Sequence, residues 1–331
     1  MTNRYLLAGR ILFAIAITGF GAICLFYADF VHSLQPVPES IPGYRVLAVA
    51  TGLLLAASGL AIAADFKVYP AAIVLASLLA LWIVLLHVPG VFTEPALLRS
   101  PFWIRTFECL ALGSTALILA GMARTPAREQ WIHAGRIGFG ISLPVFAVLH
   151  FVYPESVAVL IPAWYPWPLF LAYLSGGGHL AAGVAIATGV WSRLAAIVVG
   201  FMFALWALTL HLPRVIVHPA ARSAENPAGY GGDRPELTSF CVCVAFWGAA
   251  WIVAGALSGR KFPQASRVIK ADGGPRSTRI ETGRDPVTRK GPFDPRCSHS
   301  DGISIFAPRP ARSNRAPKRS RNTLNPGSLV Q

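Results

Sequence analysis

The chain states nearly the same pattern twice, and what recurs is a set of four apolar, membrane-length segments. Gly9, Arg10, Ile11, Phe13, Ile15, Phe20 and Tyr27 return one constant step later as Gly135, Arg136, Ile137, Phe139, Ile141, Phe146 and Tyr153. A second stretch recurs at nearly the same step, Ala71-Ala72-Ile73-Val74 as Ala195-Ala196-Ile197-Val198 and Ala80-Leu81-Trp82 as Ala204-Leu205-Trp206. Leu86-His87, followed by Pro89, likewise returns as Leu210-His211, followed by Pro213. Agreement over two helices with one small change of register fixes an architecture before any chemistry is considered.

The segments are lipid-facing by composition. The chain is 54% hydrophobic and 13% charged, where a soluble domain carries about 25% charged residues. Crossing about 30 Å of hydrocarbon takes roughly 20 apolar residues in a helix. Runs of that kind occupy 8–27, 44–64, 68–88, 103–123, 134–153, 168–189, 192–212 and 237–257. The first resembles a signal peptide in its flanking Arg4 and Arg10, but its match to the internal run after Arg136 argues for a retained helix. The expected fold is therefore all-α: a polytopic membrane protein of eight transmembrane helices, arranged as two parallel four-helix bundle repeats.

Charge separates the body from its tail. Of 29 Lys and Arg and 15 Asp and Glu, 16 and 5 respectively fall in 260–331. The net charge of +14 thus describes a nearly neutral membrane body with a basic appendage, not a nucleic-acid-binding domain. Phe262, Phe293 and Phe306 are not interleaved with the basic residues as base-stacking platforms would be. The organisation expected is a first unit at 1–123, a second at 124–259, and a disordered basic tail at 260–331. Because four is even, the second unit starts on the same side as the first, unlike the inverted repeats of many transporters. The tail, together with Arg124, Arg128 and Arg136, puts both termini on the cytoplasmic side. Two long outer connections, 29–43 and 213–236, and the Trp- and Pro-rich 154–167 segment cap the opposite face.

Ionisable groups inside a bilayer are costly, so each is a candidate for function. His179 falls near the middle of the sixth run, after Gly176-Gly177-Gly178, where the first unit has Leu55. His150 lies near the outer end of the fifth, matching Cys24, and His87 and His211 end the third and seventh. Glu108 lies well inside the fourth run, one turn after Arg105, at i,i+3 spacing for an ion pair. The candidate polar membrane site is therefore His179, His150, His211, Glu108 and Arg105. Structural roles explain the same letters: an interhelical hydrogen bond for His179, a snorkelling pair for Arg105 and Glu108, and small buried thiols for Cys109, Cys241 and Cys243. No metal-ligand spacing is present, so no metal is expected, and neither a phosphate loop nor a dinucleotide fingerprint occurs.

At these residues the chain resembles the DoxX-like membrane proteins. The likeness runs through Gly135-Arg136-Ile137, His150-Phe151-Val152-Tyr153-Pro154, Ile161-Pro162, the glycine-rich stretch ending Gly183 to Gly189, Arg193-Leu194-Ala195-Ala196 and His211-Leu212-Pro213. The second unit carries it best, and the first looks like a diverged copy. The resemblance implies a four-helix unit in the bacterial inner membrane, with some relatives linked to thiosulfate:quinone oxidoreduction or to membrane complexes handling oxidative stress. It carries no catalytic signature over, so whether the chain is an enzyme stays open. A quinone-linked or redox-accessory role, beside a membrane or cytoplasmic oxidoreductase subunit, is the leading expectation. A carrier for a small apolar molecule, with Glu108 or His179 as its polar waypoint, and a scaffold without catalytic activity are the alternatives.

Overall fold

The computed structural model describes residues 3–93, 101–217 and 235–258. The basic tail at 260–331 and most of the 213–236 connection lie outside them. Eight helices are long and apolar enough to cross a membrane: α1 (Arg4–Tyr27), α2 (Tyr44–Ala63), α3 (Val68–Phe92), α4 (Pro101–Met122), α5 (Glu129–Val152), α6 (Pro168–Thr188), α7 (Ser192–Val217) and α8 (Pro235–Ala256). Among the described residues there is no strand. A shorter helix, Pro154–Leu160, lies in the connection between α5 and α6.

The helices are arranged as an interlocked ring. α1 packs on α2 and α8, and α5 on α6 and α4; α3 pairs with α4, α7 with α8, and α4 touches α8 across the middle. Each half therefore seats its first helix on the last helix of the other half, and the eight form one compact unit. The burial of the spans follows from this order. In α4 and α8, 61% of the span is buried within the protein, against 33% in α2 and 28% in α3. The central pair is thus protein-lined, while α2 presents Val46, Leu53 and Leu60 outward, each more than half exposed. A helix apolar on every face, as α2 is, suits a hydrocarbon surround.

Small residues permit the tightest crossings, as expected where lipid leaves van der Waals packing to hold helices together. A Cβ on Gly9 would lie 2.7 Å from the Gly248 carbonyl, and one on Gly135 would lie 2.4 Å from the Ser114 carbonyl. Gly9 also meets the Ile252 backbone and Gly135 the Ile118 side chain, so the α1–α8 and α5–α4 crossings use corresponding positions. The amino end of α1 is further pinned by Asn3, whose side chain accepts from Tyr5 N and donates to Gly255 O at 3.0 Å.

At the opposite membrane boundary from the 28–43 connection, two arginines tie off helix ends. Arg136 is only 3% exposed and donates to the Ile186 carbonyl and to Ala187 O at 2.9 Å. Its guanidinium covers the carbonyl end of α6, where positive charge is favoured. Arg10 instead pairs with Asp65, just beyond α2, in a more exposed setting. A buried helix cap goes beyond the boundary anchor that the sequence suggests for Arg136.

Candidate functional site

Both long hairpin helices break their regularity at the same place. Ile83–His87 in α3 and Ala207–His211 in α7 are single turns of π-helix, closed by Val88 N–H on Ile83 O and Leu212 N–H on Ala207 O. The extra residue in such a turn rotates the remainder of the helix about its axis, and these turns recur at functional positions. Here each ends on a histidine facing the last helix of its own half.

His87 is fully buried. Its Nε2–H donates to the Leu34 carbonyl at 2.9 Å, and Cys109 Sγ lies 3.6 Å from the same nitrogen. Cys109 also approaches Leu34 O, at 3.8 Å, so the 28–43 connection is fastened down onto α3 and α4. The counterpart in the second half is ionic. His211 Nδ1 lies 3.3 Å from Glu236 Oε2 and is hydrogen-bonded to Cys243. Arg214 adds Glu236 Oε1 at 3.5 Å and donates to Leu160 O at 2.6 Å. The carboxylate sits in the first turn of α8, where the helix dipole favours it.

The innermost pair is His150 with His179. Their ring centroids are 5.0 Å apart, on α5 and α6. The rings approach because Gly176 has no side chain: a Cβ there would stand 2.7 Å from His150 Cβ. His150 Nδ1–H donates to Phe146 O at 2.8 Å and His179 Nδ1–H to Ser175 O at 2.9 Å. A carbonyl can only accept, so each neutral ring is fixed in the tautomer that leaves Nε2 as an acceptor. Three phenylalanines close around His179, while His150 is half-buried at its side. His179 packs against Phe146 at 6.0 Å and Phe203 at 5.4 Å, and Phe246 of α8 joins both rings at 5.3 and 5.0 Å. Residues from α5, α6, α7 and α8 thus converge on an imidazole that is 4% exposed.

His150 and His179 therefore meet, as do Arg105 and Glu108, whose bidentate contact measures 2.9 and 3.1 Å. His211 belongs to a separate cluster with Glu236, and the Arg105–Glu108 pair is on α4, in the other half. The hydrogen bond of His179 stays within its own helix, where its mid-span position suggests one between helices. Sequence reading misses Glu236 and Arg214 because both fall at the edge of a polar connection that hydropathy assigns to a loop. It also passes over Gln35, which is fully buried and points Nε2 at Cys24 Sγ, 3.9 Å away. Among the described residues no group of three His, Cys, Asp or Glu is placed to hold a metal ion. Compared with family models, curated proteins and solved structures, the chain matches none of them.

Proposed function

We propose that the chain is a DoxX-like protein of the bacterial inner membrane, built from like-facing halves at 1–123 and 124–259, that binds quinol at His150 and His179 as the membrane subunit of an oxidoreductase. Two parallel halves account for the corresponding crossings at Gly9 and Gly135 and the corresponding π-turns at His87 and His211. With that arrangement and the basic residues of the tail, both termini face the cytoplasm.

The observation that carries the functional reading is the paired Nε2 acceptor set, with His179 enclosed by aromatic rings and His150 beside it. A quinol supplies an apolar ring with hydroxyl donors and, on oxidation, two electrons and two protons. His150 and His179 fit the donors, since each has spent its own N–H on a backbone carbonyl. Phe146, Phe203 and Phe246 offer ring edges and faces and exclude water. The imidazoles would hold and orient the head group and accept hydroxyl protons at Nε2, while electrons pass to a partner subunit.

Extraction of the purified protein, followed by difference absorbance on reduction, measures the quinone it retains. Retention is expected in the wild type and loss in His179→Leu at unchanged melting temperature. Equal retention in both removes the pair from the site, and a wild type without quinone leaves the carrier or scaffold reading in its place.

A further inference from the structure

At the end of the molecule remote from His150 and His179, a groove of about 520 Å³ opens between α2 and α3. Its floor is Ala57, Leu60, Ala61 and Ala64 of α2 with Pro70 and Ala71 of α3, and its lining is almost wholly apolar. The groove faces outward, since Ala57, Leu60, Ala64 and Pro70 are exposed. Phe66 and Lys67 stand at its end, with the Lys67 ammonium 5.2 Å from the centre of the Phe66 ring.

We propose that this groove is a binding site for an anionic phospholipid, with an acyl chain along the alanine floor and the phosphate at Lys67. The charge argument is local. Asp65, the carboxylate in the same turn, is already taken up by Arg10, so it does not neutralise the lysine. Lys67 also occupies the position before α3 with a left-handed backbone (φ 47°), and no side chain caps that helix. The uncapped Val68 and Tyr69 N–H groups of the first turn, to which Pro70 adds none, and the helix dipole therefore reinforce the attraction of the ammonium for a phosphate. Small side chains at 57, 61, 64 and 71 leave room for a chain where larger ones would fill the seam.

The second half has no cation at the matching position, and its nearest, Arg193, is exposed two residues on, in the first turn of α7. Trp191, one repeat step beyond Lys67, has the same left-handed backbone (φ 51°) before α7 and is 81% exposed. An indole there favours the headgroup zone without selecting for charge. Lys67 at the helix start is thus particular to the first half, and the groove stands apart from the quinol site.

Native mass spectrometry of the full chain in detergent, with equimolar phosphatidylglycerol and phosphatidylcholine of identical chains, tests the site. The wild type is expected to retain phosphatidylglycerol preferentially. Lys67→Ala is expected to lower that occupancy about fivefold, the worth of one basic residue near an anionic surface, while Lys67→Arg keeps it. Ala61→Phe, which fills the groove and leaves the charge intact, is expected to reduce retention of both lipids. Undiminished phosphatidylglycerol binding by folded Lys67→Ala would overturn the proposal and transfer the attraction to other basic residues. Unchanged retention in folded Ala61→Phe would equally overturn it, by showing that no chain occupies the groove.

Discussion

Positions that the recurring sequence pattern pairs carry different chemistry in the first four helices and in the last four. In the second half Phe146, His179, Phe203 and Phe246 meet at the centre, with His150 beside them. The corresponding positions of the first half are Phe20, Leu55, Leu79, Leu112 and Cys24, each no more than 2% exposed. One core is closed packing of a phenylalanine, three leucines and a thiol, and the other holds two oriented imidazoles. The same contrast holds near the π-turns, where the first half seals His87 completely and the second leaves the His211 side chain 16% exposed beside a carboxylate. The first four helices thus keep the packing while the last four carry polar groups that packing alone would disfavour.

The largest expected effect breaks the scaffold itself. Gly9→Leu and Gly135→Leu each force a side chain into backbone less than 3 Å away, so each is expected to cost about 3 kcal/mol or more, or to abolish folding. Thermal unfolding in detergent measures this, and similar losses in the two variants would tie the two crossings to one geometry. A mild effect at one position only would mean that the halves are held together differently.

Exchanging the central residues sharpens the contrast. Leu55→His inserts an imidazole among Phe20, Leu79 and Leu112 and is expected to destabilise by about 2 kcal/mol, as an ill-satisfied buried polar group does. The reverse change, His179→Leu, is expected to leave stability unchanged or raise it. A fall in melting temperature in both variants would show that His179 contributes to holding the fold.

The smallest expected effect is at Gln35. Its Oε1 is buried without a hydrogen-bond partner among the described residues, and its counterpart in the second half is the buried Ile161. Gln35→Ile is expected to stabilise by about 1 kcal/mol, because an unsatisfied amide oxygen is removed with little change in volume. A drop in melting temperature would instead assign weight to the Gln35–Cys24 contact.

The eight helices and most of their limits were legible in the sequence, because lipid demands long apolar runs and the recurring pattern supports the first, third, fifth and seventh of them. The i,i+3 meeting of Arg105 and Glu108 was legible for a similar reason, being set by helix geometry alone. The π-turns were not, since Ile83 to His87 and Ala207 to His211 are as apolar as any regular turn. α3 and α7 accordingly run past 88 and 212, to Phe92 and Val217. The Leu34 and Leu160 carbonyls lay beyond reach as well, because backbone acceptors have no signature in residue type. The sequence sets His150 near the outer end of its run and His179 near the middle of its own, and gives the azimuth of neither. That requires knowing that α5 packs on α6 through Gly176, a contact hidden among several glycines of one run.

Rewriting the second half with the residues of the first tests the central claim most directly. A double variant, His150→Cys with His179→Leu, is titrated with a short-chain quinol against the wild type, both at matched melting temperature. Saturable binding by the wild type and affinity lower by about 30-fold or more in the variant, the worth of two hydrogen bonds, is the expected result. Equal affinity in the two proteins would contradict the account.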